Sequence, residues 1–293
     1  MSAAHAYESQ QTQGRNAPAR CPTEMIGDNA ARCLLMELET WPKPGLVSHV
    51  DNGSHDDMDA GTFRRSAAAI KPYFQELADA AADGCDMGRL RIIGIEAEAA
   101  MLAATSGVNT HRGAIFGLGL LCAAAGARAA GCVDPELTLG AIVSRRWGSS
   151  IVGGPVMLHS HGSKVRGKFG AGGARIEAAQ GFSSVYQIGL PALVRGQRAE
   201  PADAEAARIE ACFALIAAVE DTNILHRAGK DGLRFARRST RHFLDMGGVR
   251  RPGWRDHAKR IHEAFVAKRL SPGGSADLLA MTLFVASQEG VDQ

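Results

Sequence analysis

The sequence predicts an all-α protein: a single globular multi-helix bundle around one central buried apolar helix. Three observations predict it. Aromatic residues make up only 5% of the chain while alanine is plentiful, and alanine is the strongest helix former because it loses no side-chain freedom. Sustained period-two alternation, which a half-buried strand needs, is hard to find anywhere. Apolar residues instead recur at helical spacing, bounded by Asp, Ser or Thr caps and by Pro or Gly stops.

The elements follow in order. Met25 to Thr40 places Ile26, Ala30, Cys33, Leu34 and Leu38 on one face and ends before Pro42. Glu37 interrupts that face beside the first long connection. Asp59 or Thr62 caps a helix reaching about Leu77. Ile92 to Ala104 carries Glu96 and Glu98 in an alanine-rich helix. Gly113 to Ala125 is apolar nearly all round and reads as the central helix. The run from Gly113 to Ala127 falls short of the ~20 residues that cross a bilayer. Pro135 to Val143 follows a capping Asp134, and Asp203 to Val219 follows Pro201. Ser275 to Ser287 closes the chain, with Ser275 as its N-cap. Between these helices, 42–57, 105–113, 159–175, 221–233 and 271–276 read as long polar connections, the kind that carry function.

At 293 residues the chain is long enough to bury a substantial core without disulfides or metals. Residues 1–22 are polar, lack an apolar signal core and read as a disordered leader before one catalytic domain over 23–293. A net charge of +2 is too balanced to argue for nucleic acid or a membrane surface as partner. The six cysteines form no CxxC pair. Free, apolar cysteines of this kind suit a reducing cytoplasm.

Chemistry concentrates in five stretches. "WPKPGLVSHVDNGSHDDMD", 41–59, holds Lys43 between two prolines. It then gathers His49, Asp51, His55, Asp56, Asp57 and Asp59, which as a group are able to take Mg²⁺ alongside phosphates or simply to form a solvated turn made by Asn52-Gly53, with Asp59 capping the next helix. "TSGVNTHRG", 105–113, sets Asn109, His111 and Arg112 at a helix start, where the dipole and free N–H groups attract anions. "GKFGAGGARIEAAQGF", 167–182, contributes Arg175 and Glu177 but does not fit a phosphate loop. "EDTNILHRAGKDGL", 220–233, contributes Asp221, Asn223 and Arg227, and "LSPGGSADLL", 270–279, contributes Gly273, Ser275 and Asp277. Each stretch alone is also explained by a cap or a charged surface. Together they suggest one cationic and carboxylate-bearing site at a bundle end, suited to a polyphosphate substrate with a divalent metal.

The same stretches, in the same order, resemble the triphosphoribosyl-dephospho-coenzyme A synthases. "PKPGLVSHVDNGSHDDMD", "EAEAAMLAATSGVNTHRGAIFGLGLL", "GARIEAAQGF", "DTNILHR" and "LSPGGSADLLAMTLFVA" span about residues 25 to 288. General likeness points to the malonate decarboxylase branch over the citrate lyase branch. The resemblance implies a transferase of all-helical fold that joins the triphosphoribosyl group of ATP to 3′-dephospho-CoA and releases adenine. Its product is the prosthetic-group precursor of an acyl carrier protein subunit, loaded by a holo-transferase. Mg²⁺ is expected with ATP, and a homodimer is compatible with the apolar central helix.

On the resembling positions, Glu98, Glu177, Asp221 and Asp277 are the candidate catalytic carboxylates, with Glu98 and Asp221 preferred. Lys43, Asn52, Asn109, His111, Arg112, Arg175, Asn223, Arg227, Gly273 and Ser275 are the candidate substrate contacts, and Asp56, Asp57 and Asp221 the candidate metal ligands. Two residues depart from the family pattern: Arg112 stands where Lys is common, and Ala228 where Gly is common. Rival readings are a Mg-dependent N-glycosyl hydrolase using water, a metal phosphohydrolase built on 49–59, and a non-catalytic partner of a decarboxylase complex.

Overall fold

The computed structural model describes residues 21–155 and 173–291. These form eleven α-helices: α1 (Pro22–Leu38), α2 (Ala60–Ala82), α3 (Met87–Ala104), α4 (Arg112–Ala129), α5 (Leu139–Gly153), α6 (Gly173–Ala179), α7 (Leu190–Ala199), α8 (Ala204–Ala218), α9 (Thr222–Asp245), α10 (Trp254–Ala267) and α11 (Gly273–Gln288). A π-turn over Val185–Gly189 leads into α7, and a 3₁₀ turn over Gly248–Arg250 joins α9 to α10. No strand occurs among the described residues.

The expected central helix is central. α4 packs against α1, α2, α3, α5 and α11, and Leu118, Leu121, Cys122, Ala123 and Ala124 have no exposed surface. Small residues make this possible: Gly119 meets Leu77 of α2, and Gly126 meets the Ala78 backbone. With its apolar surface consumed inside the chain, α4 leaves little of it for a subunit interface. α11 covers another side of α4 and reaches α1 and α8. It is likewise apolar around most of its circumference, from Leu278 to Ala286.

Several boundaries differ from the sequence reading, each for a local reason. α1 opens one residue inside the expected leader, because Pro22 at a first helical position has no N–H to lose. α2 is capped by Asp59, which accepts from Thr62 N, and Thr62 lies inside the helix. It runs on to Ala82, past Pro72. Asp86, accepting from Arg89 N, starts α3 five residues before Ile92. Asp134 caps only a turn, through Glu136 N at 3.0 Å, whereas α5 begins at Leu139 under Thr138, whose Oγ1 accepts from Ala141 N at 3.2 Å. Thr138→Ala therefore lowers stability by about 1 kcal/mol, while Asp134→Ala does so less, as paired denaturant melts will show.

The largest correction is 221–233, read from sequence as a connection. It is the start of α9, a helix of 24 residues interrupted at Gly229, where φ is +62°. A non-glycine residue resists that conformation. The apolar face of α9 (Ile224, Leu225, Leu233, Ala236, Phe243) is regular but diluted by arginines. α7 and α10 were not anticipated from sequence. Of the 159–175 connection, 173–175 belong to α6, and the remainder from 159 to 172 lies outside the described residues, as do residues 1–20.

Candidate active site

Three helix N-termini converge at one end of the bundle, those of α4, α9 and α11. Asp221 ties two of them together. Its Oδ1 accepts the N–H groups of Asn223 (2.9 Å) and Ile224 (3.3 Å), which starts α9. Its Oδ2 accepts Ser275 N (2.8 Å) and Ser275 Oγ (3.0 Å) at the start of α11. Ser275 is therefore not the N-cap of α11: that position is Pro272, and the Ser275 hydroxyl is spent on Asp221. Burial raises the Asp221 pKa and those N–H donors hold it down. With four donors on two oxygens, Asp221 is a structural knot more than a free carboxylate.

Asp277 connects α11 to α4. A Cβ on Gly113 would collide with its Oδ2, so glycine at the first turn of α4 is what lets the carboxylate approach. Asp277 keeps some exposed surface and has no cation or side-chain donor as partner among the described residues. Burial, then the charges of Glu37 and Asp221, push its pKa well above the usual aspartate range, opposed by the Ala114 N–H. A carboxyl whose pKa is raised in this way is suited to donating a proton.

Beneath lies Lys43, fully buried, its ammonium clamped on the Glu37 carboxylate, itself only 7% exposed. Lys43 Nζ also donates to the Glu37 carbonyl at 2.7 Å. His262 Nδ1 binds the Lys43 carbonyl (2.5 Å), and its Nε2 lies 3.2 Å from Asp51 Oδ1. Trp41 Nε1 donates to the other Asp51 oxygen at 3.0 Å. The proline-flanked loop is thus pinned from both sides, with Lys43 pointing into the protein rather than to solvent.

His111 is buried beside this group. Thr110 Oγ1 donates to Ser66 Oγ (2.7 Å), which frees the Ser66 proton for His111 Nδ1 at 2.6 Å. The ring is then neutral with its proton on Nε2. Burial, helped by the charge of Lys43, lowers its pKa to about 3. The unfolded chain takes up that proton near pH 6.5 and the fold does not, so stability falls as pH drops from about 6.5 towards 3. His111→Gln flattens that part of the dependence, measured by urea midpoints across the range.

At the rim, Arg112 forms an ion pair with Glu98, Nε to Oε1 at 2.7 Å. The last turns of α3 run back beside the first turn of α4, which brings Glu98 to this end. Asn109 Oδ1 accepts Arg112 N at 3.2 Å. Arg227 is exposed and reaches His55 Nδ1 (3.3 Å), and His55 Nε2 meets Ser271 Oγ (2.8 Å) just before α11. Asn223 stands against Gly273, where a Cβ would lie 2.8 Å from Nδ2.

Arg175, Glu177 and Asn52 lie apart from this cluster, whereas Asp56 and Asp57 stand at its margin, the second joined to it through His55. Arg175 wraps the end of α5, donating to the carbonyls of Ile151, Gly154 and Pro155. Glu177 accepts Ser184 N (2.6 Å) and Ser184 Oγ (3.0 Å). Asn52 is exposed on its turn. Asp56 and Asp57 are 82% and 64% exposed, the first paired with Arg269 and the second with His55. No group of three His, Cys, Asp or Glu able to hold a metal ion occurs among the described residues. Glu37, Ser66, His262 and Ser271 were not predicted. Of these, Glu37 alone left a signal, an acid on an otherwise apolar face.

The profile of the ATP:dephospho-CoA triphosphoribosyl transferase family matches residues 23–293. The chain belongs to this family. It is accordingly an enzyme, a transferase. Curated relatives of the transferase agree across nearly its whole length. A protein of Pseudomonas savastanoi pv. phaseolicola is 39% identical over 272 residues, covering 91% of this chain and 92% of the relative. One from Pseudomonas aeruginosa is 40% identical over 270 residues (89% and 90%) and one from Azotobacter vinelandii 40% over 267 (89% and 90%). All three are named probable 2-(5″-triphosphoribosyl)-3′-dephosphocoenzyme-A synthase. No solved structure matches the transferase.

Proposed function

We propose that the transferase moves the 5-triphosphoribosyl group of ATP to the 2′-hydroxyl of 3′-dephospho-CoA and releases adenine. The observation that carries this reading is a pair of carboxyls on either side of the first turn of α4: Asp277, against Gly113 and without a side-chain partner among the described residues, and Glu98, paired with Arg112. Breaking the glycosidic bond needs a proton for the departing base and an acceptor for the proton of the attacking hydroxyl. The C1″–N9 bond breaks with its electron pair going to adenine, which takes the Asp277 proton. The acceptor oxygen bonds C1″, and its proton passes to Glu98, which its ion pair with Arg112 holds in place. Exchange with water resets both groups.

The triphosphate stays on the ribose, so its contacts have only to position it. We assign it to the converging N-termini of α4, α9 and α11, where N–H groups and dipoles favour anions, with Arg227 and Arg112 at the rim. Lys43 is assigned to supporting the site from below. Mg²⁺ fits as an ion carried in on the triphosphate, since such an ion needs one or two protein carboxylates and no prebuilt cage. Asp56 and Asp57, exposed near Arg227 through His55, would hold it, and it would neutralise phosphate charge. Asp221, already saturated by N–H and O–H donors, fits that duty less well.

The product serves as prosthetic-group precursor for an acyl carrier subunit in the cytoplasm, loaded by a separate holo-transferase. General likeness of the sequence favours the carrier of malonate decarboxylase over that of citrate lyase. Among the described residues no helix is long and apolar enough to cross a membrane. Incubating the enzyme with ATP, Mg²⁺ and 3′-dephospho-CoA should give a triphosphoribosyl adduct at the 2′ position, identified by mass and by phosphorus NMR. Free phosphate or ribose triphosphate in its place would overturn the reading.

A further inference from the structure

Charge is distributed unevenly along the chain. Residues 222–269, which form α9, the 3₁₀ turn and α10, contain thirteen Lys and Arg against four Asp and Glu. The other 245 residues contain twenty against twenty-seven. A net charge of +2 therefore conceals a basic lobe on an otherwise acidic protein. α9 and α10 fold back as a hairpin, with Phe235 against Phe265 (5.8 Å between ring centres) and His242 against His257 (5.8 Å).

The cations are on the outside of this hairpin. Lys230, Arg234, Arg238 and Arg241 are exposed at helical spacing along one face of α9, about 16 Å from first to last at 1.5 Å per residue. Arg234, Arg237, Arg238, Arg241, His242 and Asp245 line an open groove of about 600 Å³. Arg260 and Arg251 are exposed on and before α10. Arg238, Arg251 and Arg260 have no carboxylate partner among the described residues. Crowding extends to His257, whose pKa falls through burial and then the charges of Arg260, His242 and Arg251. Arg237 and Arg241 also serve the packing, donating to the carbonyls of Ala218 and Ala217 at the end of α8, but like charges gathered without counter-ions, as at Arg238, Arg251 and Arg260, destabilise a fold.

We propose that the outer face of the α9–α10 hairpin docks an acidic protein surface, one presenting carboxylates at helical spacing. The track is longer and more highly charged than the phosphates of one nucleotide would occupy. Arginine forks match carboxylates in bidentate pairs. Single-stranded nucleic acid would need aromatic platforms, but Phe243, Trp254 and Phe265 are buried and Phe235 is half-buried beneath Lys268. The track starts beside Arg227 at the rim of the active site, so a docked partner lies next to the point where product leaves.

The test uses the full chain and a fluorescein-labelled helical peptide with glutamate at every fourth position, with a short DNA duplex as the competing probe. The peptide should bind, and more weakly as salt rises. The triple variant Arg234→Glu, Arg238→Glu, Arg260→Glu should bind it at least about tenfold less well while releasing adenine at the wild-type rate, which also reports an intact fold. Tighter binding of duplex than of peptide would make the lobe a nucleic-acid surface and overturn the proposal. Equal peptide binding by the triple variant, or none by the wild type, would overturn it too.

Discussion

Asp277→Asn lowers the rate of adenine release by about a hundredfold or more, the usual share of a general acid. The amide has the shape of the protonated carboxyl and cannot donate an acidic proton. Because the native carboxyl is buried beside Glu37 and Asp221, where a charge is disfavoured, an uncharged amide suits the same place, and the variant melts at or above the wild-type temperature. Loss of rate with retained stability separates a chemical role from a structural one. A steady-state comparison of kcat beside a thermal melt checks both halves. The pH profile adds a sign: activity that needs protonated Asp277 falls as pH rises through its elevated pKa, and that falling limb disappears in the asparagine variant.

Lys43→Met gives the second large effect, this time on stability. Lys43 is fully buried and neutralises Glu37 at 7% exposure. Removing one member of a buried pair leaves an uncompensated charge and costs about 3–5 kcal/mol. The double variant Glu37→Gln, Lys43→Met removes both charges and should recover most of that loss. Urea melts of the two variants and the wild type are sufficient to show it. Recovery in the double variant identifies the unpaired charge, and not the lost lysine stem, as the cause.

The legible and illegible parts of this protein divide along physical lines. The apolar periodicity of α1, α4, α8 and α11 was strong because those helices are buried on most sides, and burial writes itself into composition. α9 and α10 bury one narrow face, so their apolar positions are diluted by arginines that serve the outer face, and Gly229 breaks the register further. α5 began later than expected because two capping residues, Asp134 and Thr138, lie four apart and only three-dimensional packing chooses between them. In the site, the motif stretches carrying Asp221, Ser275, Asp277, His111 and Lys43 were visible in order. Their pairings were not, since Asp221 meets Ser275 across 54 residues and Glu37 meets Lys43 around a loop. Whether a carboxylate is saturated, like Asp221, or left without a side-chain partner, like Asp277, is a property of neighbours that spacing alone does not encode.

The measurement that bears most directly on this account is adenine release from ATP and Mg²⁺, with and without 3′-dephospho-CoA, by the wild type and by Asp277→Asn in parallel. The account predicts adenine from the wild type only when the acceptor is present, and a rate lower by about a hundredfold or more in the variant. Acceptor-independent adenine, or an asparagine variant as fast as the wild type, would contradict it.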